Sequence, residues 1–275
     1  MKKTLFVISD VHGFYREMME SLTNAGFDPS NENHLLITLG DCFDRGPDSL
    51  SIYSYLKNLS DKGKAIVLKG NHTLMFEQYL DGTTLSPFNY LRNGTKETFA
   101  DFLGRTAPFE SWCAINKKLS EATMGDFAEW LMQSVDEINK EYPELLPWLK
   151  SRPYFYETEN YIFTHGAIDT IVADWHYPNC YKYDYENWEA LMWDDGSFFG
   201  KLIPNTNKTV VIGHFGTDEL RQKYNIVENG DPYGILKRWD NRVIAIDTTT
   251  VLSHRVNVLK IEGEEIYNEQ IRKLL

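Results

Sequence analysis

Five stretches of this sequence share one format, in which a short apolar run ends in carboxylate, imidazole or amide side chains beside a glycine. Their polar residues are Asp10 and His12 in "FVISDVHG", Asp41, Asp44 and Arg45 in "LLITLGDCFDRG", Asn71 and His72 in "AIVLKGNH", His165 in "YIFTHG", and His214 in "TVVIGH". Four of the seven histidines of the chain belong to this set. Each stretch alone is a weak signal, but the repeated format predicts one shared site.

The chemistry of these side chains is that of a metal centre. Aspartates crowded at the end of a buried strand repel each other and resist desolvation, so a strongly positive group must lie among them. Aspartate oxygen, imidazole nitrogen and amide oxygen together suit first-row ions. The ligands are too many for one tetrahedral ion, whereas two ions about 3.5–4 Å apart that share a carboxylate would use them all. We expect two divalent metal ions, Mn²⁺ first, with Fe or Zn as alternatives.

The elements that must position these residues alternate regularly in the first part of the chain. Apolar patterns predict strands over 4–9, 34–40 and 65–70, and amphipathic patterns predict helices over 14–27 and 47–59. This alternation indicates an α/β fold, a buried sheet covered by helices with βαβ crossovers. In open sheets of this kind, ligands bind at the carboxyl ends of the strands.

The pattern changes between Thr73 and Ser151, where the sequence predicts several helices and no strand. Within this segment, Thr123 and Asp126 have the spacing of a capping box at the start of a helix. We predict a single catalytic domain over residues 1–275, with a helical insertion over residues 73–151.

Strands resume in the last third of the chain. They are predicted over 161–166, 209–214, 242–248 and 253–261, followed by a hairpin turn at "EGEE" and a last strand. We expect these closing strands to be antiparallel neighbours.

Composition limits the possible partners. The formal net charge is −12, with 40 acidic and 28 basic residues, which disfavours nonspecific binding of nucleic acid. Three cysteines at unrelated spacings indicate reduced thiols. No apolar run has the length that crosses a bilayer, and the apolar start of the chain ends at Asp10, too early for a secretion signal. We therefore expect a cytoplasmic protein without a membrane partner.

Taken in order, "SDVHG", "GDCFDRG", "GNH", "HGA" and "GH" resemble the signature motifs of the phosphoprotein phosphatase family, within the calcineurin-like metallophosphoesterases. The stretch "LRNGTKETFADFLG" resembles a segment typical of bacterial members, and "IAIDT" resembles the strand that closes the core of the family. The resemblance implies a sandwich of central β-sheets flanked by helices, and an enzyme that hydrolyses phosphate esters at a dinuclear metal centre.

The resemblance also implies a role for each matched position. It places Asp10, His12 and Asp41 on a first metal, and Asp41 as a bridge to a second metal held by Asn71, His165 and His214. Arg45 matches the arginine that binds phosphate oxygens bidentately, with Asn71 and His72 also contacting the phosphate. A water molecule activated by two metal ions would attack phosphorus in line. His72, oriented by Asp44, would protonate the departing alkoxide.

The chain departs from the family pattern at three places. Thr73 stands where a glutamate is common, and Ala167 stands where a second glycine is usual. Residues 190–201 contain no arginine, although eukaryotic members place a second phosphate-contacting arginine in this neighbourhood. Candidate substitutes, each read first as a solvated surface charge, are Lys201, Arg221 and Arg92.

Two enzyme readings and one noncatalytic reading follow for the function. The first is a phosphomonoesterase resembling protein serine/threonine phosphatases. The alternative is a hydrolase of dinucleoside tetraphosphates such as diadenosine tetraphosphate, for which the aromatic-rich stretch 175–193 would line a base pocket instead of packing the cap. The third, a noncatalytic scaffold, is disfavoured because every matched ligand position is intact. The expected partner is a phosphorylated substrate, either a phosphoprotein or a nucleotide.

Overall fold

The structure, a computed structural model, covers most of the chain. The described residues are 2–105, 108–116, 122–169, 187–200, 206–227 and 230–266. They form two β-sheets with helices on the outer faces.

The first sheet contains the βαβ units that the sequence predicts. Its strands are β1 (Lys2–Ile8), β2 (His34–Thr38), β3 (Ala65–Val67) and β9 (Leu259–Glu265), in the order β3-β2-β1-β9. The first three strands are parallel, and the crossovers between them are α1 (Tyr15–Asn24) and α2 (Ser49–Asp61). The carboxyl ends of β1, β2 and β3 therefore lie at one edge of the sheet.

The last strand differs from the prediction. The region expected as a strand over 253–261 begins with a short helix, α11 (Thr250–Ser253), and only then enters β9. No hairpin forms at "EGEE", because β9 continues through it as one strand antiparallel to β1. The pairing shifts register between Lys3 and Leu5, and Gly263, with φ of +73°, accommodates the bulge.

The second sheet has five strands. They are β4 (Phe155–Glu157), β5 (Tyr161–Thr164), β6 (Thr209–Ile212), β7 (Leu236–Arg238) and β8 (Val243–Ala245), in the order β4-β5-β6-β8-β7. The three central strands are parallel, and the short edge strands β4 and β7 pair antiparallel. The expected antiparallel neighbours β8 and β9 thus belong to different sheets.

The two sheets pack face to face. One buried cluster joins alternate residues of the first sheet, such as Leu5 and Val7, to Phe163, Val211 and Ile244 of the second. The opposite face of β1 packs under the helices, because successive side chains of a strand point to opposite faces. This sandwich of sheets flanked by helices confirms the predicted fold class.

Helices alone occupy the described part of residues 73–151. They are α3 (Asn71–Leu80), α4 (Pro87–Arg92), α5 (Thr95–Phe102), α6 (Pro108–Asn116), α7 (Met124–Glu141) and α8 (Leu145–Lys150). Buried aromatic rings such as Phe76, Phe99 and Trp130 join them to the outer face of the first sheet. The capping box of Thr123 and Asp126 begins α7 as expected. The boundaries of the insertion within a single domain stay a prediction.

Two further helices complete the described chain, α9 (Asn187–Met192) and α10 (Thr217–Lys223). Among the described residues, none of the helices combines the length and the apolar character that crossing a membrane requires.

Candidate metal centre

All nine predicted site residues lie together where strands of the two sheets end. They follow β1 (Asp10, His12), β2 (Asp41, Asp44, Arg45), β3 (Asn71, His72), β5 (His165) and β6 (His214). Arg45 is exposed and His214 is partly buried, whereas the other seven are buried. The parallel strands of both sheets thus deliver their carboxyl ends to one place, as their topology dictates.

The backbone at this site is strained. Six of the nine residues have positive φ angles, which side chains with a Cβ rarely adopt: Asp10 (52°), His12 (49°), Asp41 (46°), Asp44 (71°), Arg45 (69°) and His214 (65°). Such conformations cost about 1–3 kcal/mol each and persist at functional sites, where the surrounding structure fixes them. The strain indicates that the positions of these side chains matter more than local stability.

Gly70 provides the space for the central carboxylate. A Cβ built on Gly70 would overlap Asp41 Oδ1, which accepts a hydrogen bond from the backbone N–H of His72 at 2.9 Å. A glycine before Asn71 therefore lets the start of α3 approach Asp41 closely.

Potential ligand atoms form two groups that share Asp41. One group is Asp41 with His12 and His72, and the other is Asp41 with His165 and His214; within each group the atoms lie within 4.8 Å of one another. Asp41 is thus the residue common to both groups, and its role as a bridge between two metal ions stays a prediction.

The remaining two predicted ligands lie beside these groups. Asp10 Oδ1 is 3.8 Å from His12 Nε2. Asn71 Oδ1 is 2.8 Å from His165 Nε2. The structure thus places Asp10 next to the first group and Asn71 next to the second. His72, predicted as the general acid, is itself a member of the first group.

The ring orientations of two histidines suit metal binding. His12 Nδ1 donates to the Phe43 carbonyl at 3.0 Å, and His165 Nδ1 donates to the Leu39 carbonyl at 2.9 Å. In each ring the second nitrogen, Nε2, is directed into the site, and a backbone carbonyl holds the ring in place. Such outer contacts are typical of metal-ligating histidines.

The donor set fits two divalent cations. Asp41 Oδ2 is buried and makes no hydrogen bond to any described residue, although it lies 3.2 Å from His165 Nε2. A buried carboxylate oxygen without a donor is costly unless a cation is its partner. Carboxylate, imidazole and amide ligands are those of Mn²⁺, Fe²⁺ and Zn²⁺.

The electrostatics of the protein groups agree with a place for positive charge. Burial raises the pKa of Asp10, and the Asp41 carboxylate raises it further. Burial opposes ionisation of Asp41, but His165 outweighs it and holds the pKa of that carboxyl well below its usual range. Burial likewise opposes a charge on His165, yet Asp41 raises the pKa of the ring to about 9. Burial and the charge of His165 lower the pKa of His214 to about 3.

A second hydrogen-bonded unit adjoins the ligand groups. His72 Nδ1 donates to Asp44 Oδ2 at 2.7 Å, as the sequence predicts. Thr98 Oγ1 donates to Asp44 Oδ1 at 2.7 Å and accepts from the Asp44 N–H at 2.8 Å, and Thr95 Oγ1 donates to Asp44 Oδ2 at 3.1 Å. Sequence reasoning missed these two threonines, although they lie in the quoted stretch 91–104.

Arg45 lies over the same unit. Its guanidinium donates to His12 Nε2 and to His72 Nε2, each at 3.0 Å. The backbone N–H of Arg45 donates to the Gly94 carbonyl at 3.0 Å, so the turn before α5 holds the arginine in place. Gly94 has φ of +87°, and a Cβ there would collide with Arg45. The exposed guanidinium beside the ligand groups is placed to bind an oxyanion.

The departures from the family pattern have structural outcomes. Ala167 is buried and has no positive φ, so the missing glycine is accommodated. Thr73 is buried on α3, and its hydroxyl has no partner among the described residues. Arg221 donates to the carbonyls of Thr217, Pro232 and Gly234, which supports the structural reading of that side chain.

Two other candidates for the missing arginine are Arg92 and Lys201. Arg92 is exposed at the end of α4. Lys201 and most of the aromatic stretch 175–193 lie outside the described residues.

The fold and the paired ligand groups define a metallophosphoesterase. A profile of calcineurin-like phosphoesterases matches residues 3–245. The chain belongs to this family, as predicted from the sequence.

Several curated relatives match parts of the chain. A symmetrical bis(5'-nucleosyl)-tetraphosphatase of Photorhabdus laumondii is 42% identical over 69 residues, 25% of this chain and 24% of the relative. One of Nitrosospira multiformis is 26% identical over 164 residues, 60% of this chain and 43% of the relative. An asymmetrical bis(5'-nucleosyl)-tetraphosphatase of Bacillus subtilis is 30% identical over 97 residues, 33% of this chain and 40% of the relative. The chain thus spans less than half the length of each of these relatives.

A solved structure supports the fold. The I115M mutant of a cold-active protein tyrosine phosphatase superposes with a TM-score of 0.53 at 16% identity, covering 94% of this chain and 75% of the other. At this identity the likeness concerns the fold alone.

Proposed function

We propose that the chain hydrolyses dinucleoside polyphosphates, with two divalent metal ions bound by the ligand groups that share Asp41. The sharing of one carboxylate between two sets of histidines carries the metal-dependent part of this proposal. The names of the relatives, which are symmetrical and asymmetrical bis(5'-nucleosyl)-tetraphosphatases, support the choice of substrate. The alternative reading of the sequence therefore becomes the main proposal.

The ligands divide as the resemblance implies. Asp10 and His12 join Asp41 on one side, and the other side consists of Asn71, His165 and His214 with Asp41 as the bridge. Two divalent ions, when bound, supply Lewis-acid chemistry, namely activation of water and stabilisation of charge on the phosphate oxygens. The strained backbone holds the ligands for this task before any substrate arrives.

Arg45 binds the phosphoryl group that is attacked. Its guanidinium lies 3.0 Å from the Nε2 atoms of both His12 and His72, and a turn to the substrate would exchange these imidazole acceptors for charged phosphate oxygens. Bidentate contacts between a guanidinium and an oxyanion are stronger than neutral hydrogen bonds. Asn71 and His72 contact the same phosphate from α3.

His72 gives a proton to the leaving group. Asp44 accepts from Nδ1 and fixes the ring with Nε2 toward the departing oxygen. Once Arg45 turns from Nε2 to the phosphate, this nitrogen can take up a proton from solvent and pass it to that oxygen. General acid catalysis of this kind contributes about 10²–10⁴-fold to the rate. When a dinucleoside polyphosphate is hydrolysed, a P–O–P bond breaks and the leaving group is a nucleotide. The phosphate oxygen of that nucleotide needs a proton less than an alkoxide does, so His72 should matter less for this substrate than for an alkyl phosphate.

The reading as a protein serine/threonine phosphatase stays a prediction, as do manganese as the metal and the cytoplasmic location. A direct test assays the purified protein with added Mn²⁺ on diadenosine tetraphosphate, on a phosphoserine peptide and on an aryl phosphate. We expect the dinucleotide to have the highest kcat/KM. A phosphopeptide with a higher kcat/KM than the dinucleotide would overturn the choice of substrate.

A further inference from the structure

A cavity adjoins the candidate metal centre. It has a volume of about 500 Å³ and lies between α3, α4 and α9. Asn71, a predicted metal ligand, forms part of its wall, and so does Trp193, whose ring centroid is 6.1 Å from that of His214. The cavity therefore begins where the attacked phosphate would lie, and its size is that of a small-molecule pocket.

Aromatic rings border the cavity with much of their surface exposed. Phe88 is 62% exposed and Trp193 is 42% exposed, although large apolar side chains gain stability by burial. Their faces are thus available to a planar ligand, and stacking on aromatic rings is a common way to bind nucleobases. Leu91, on the same helix as Phe88 and also 62% exposed, does not line the cavity.

The polar part of the cavity consists largely of side-chain amides. Gln78, Asn89 and Asn93 line it, and Glu189 is the one charged residue among those described as lining it. Asn93 Nδ2 donates to Asn89 Oδ1 at 2.8 Å, which orients both groups. The other two amide atoms, Asn89 Nδ2 and Asn93 Oδ1, make no hydrogen bond to a described residue. One donor and one acceptor therefore remain for a ligand.

This arrangement discriminates between bases. The side-chain amide of Gln78, which makes no hydrogen bond to another described residue, offers a donor beside an acceptor, the arrangement that pairs bidentately with N6 and N7 of adenine. Guanine presents two acceptors, O6 and N7, which call for the paired donors of arginine or lysine. Neither residue is among those described as lining the cavity.

We propose that this cavity binds the adenine base of a nucleotide whose phosphate occupies the metal centre. The inference builds on the proposed hydrolysis of dinucleoside polyphosphates and adds the base and its binding place. Phe88 and Trp193 stack on the ring, and the amides of α3 and α4 read its edge. None of the side chains proposed to contact the adenine ring is a predicted metal ligand.

The test compares Phe88→Ala with Leu91→Ala, which removes an equally exposed side chain from the same helix. Inhibition of aryl phosphate hydrolysis is measured with adenosine 5'-monophosphate, guanosine 5'-monophosphate and ribose 5-phosphate. For the wild type we expect adenosine monophosphate to inhibit at a concentration at least about fivefold lower than ribose 5-phosphate, since base stacking has about this value or more. Phe88→Ala should lose this difference and Leu91→Ala should keep it, with unchanged turnover of the aryl phosphate.

The outcomes separate the two proposals. If the wild type fails to hydrolyse diadenosine tetraphosphate, the proposed function is wrong, and the inhibition series still tests the cavity. Equal inhibition by adenosine monophosphate and ribose 5-phosphate, or equal behaviour of the two variants, would overturn the base site. Guanosine monophosphate inhibiting as well as adenosine monophosphate would overturn the assignment of adenine. A Phe88→Ala variant that loses affinity only for a phosphopeptide would assign the cavity to peptides instead.

Discussion

Asp44 Oδ2 lies 2.7 Å from His72 Nδ1, and the same carboxylate is held by two threonines from the helical insertion. The insertion therefore reaches the centre of the site instead of only covering the core. Thr98 makes two of these contacts, as donor to the carboxylate and as acceptor from the Asp44 N–H. Three hydrogen bonds with the threonines thus fix Asp44, the group that orients the predicted general acid.

Replacing Thr98 should disturb this orientation. We expect Thr98→Val to lower kcat on an alkyl phosphate by about tenfold or more, since small displacements of catalytic groups have effects of this size. An aryl phosphate, whose leaving group needs no proton, should be affected much less. Thr98→Ser retains the hydroxyl and should restore the alkyl rate. Equal kcat values for the valine and serine variants on the alkyl phosphate would remove Thr98 from this role.

Replacing His72 should show the same dependence on the leaving group more strongly than replacing Thr98. His72→Ala should reduce turnover of an alkyl phosphate by about 10²–10⁴-fold relative to its effect on an aryl phosphate, because only the alkoxide requires protonation. Steady-state kinetics on a series of phosphate esters with leaving groups of rising pKa measures this. His254→Ala, which changes an exposed histidine outside the site, is the matched control. Equal losses on both kinds of ester would exclude His72 as the acid.

The sequence predicted which residues lie together at the site because their positions depend on the strands that precede them. The carboxyl ends of parallel strands meet at one edge, so an apolar run followed by Asp or His identifies the site without knowledge of the full fold. Thr95 and Thr98 could not be placed in this way. They come from α5, and their contact with Asp44 depends on how the insertion packs on the first sheet.

The pairing of the closing strands was predicted less well, because it too depends on tertiary packing. Apolar alternation indicates a strand but not its partner, and β8 and β9 belong to different sheets. The short edge strands β4 and β7 have three residues each, which is too little for a periodic signal. The left-handed backbone at Asp41 and His214 likewise follows from tertiary contacts and not from local propensity.

Metal affinity should rise with pH. The pKa of His165 in the metal-free protein is raised to about 9, so the ring is protonated at neutral pH and a metal ion must displace that proton. We therefore expect the apparent affinity for Mn²⁺ to increase by up to about tenfold per pH unit below pH 9 and to level off above it. Calorimetry in buffers of different ionisation enthalpy would detect the released proton. An affinity that is constant between about pH 6 and pH 8 would contradict this assignment of the ring.

Replacing Asp41, which belongs to both ligand groups, should remove more bound metal than replacing a ligand that belongs to one group. We expect Asp41→Ala to abolish metal-dependent activity on an aryl phosphate and to remove both ions from the protein. His214→Ala should also abolish activity but should retain bound metal at the group of His12. Activity and metal content measured on the same samples test both statements. Wild-type rates in either variant would refute the ligand assignment.

The most direct test of the central claim is anomalous X-ray scattering at the manganese edge from crystals grown with Mn²⁺. The account predicts two peaks about 3.5–4 Å apart, with the Asp41 carboxylate in contact with both. The second peak should have Asn71, His165 and His214 as its other protein ligands. A single peak, or two peaks with Asp41 bound to neither, would contradict it.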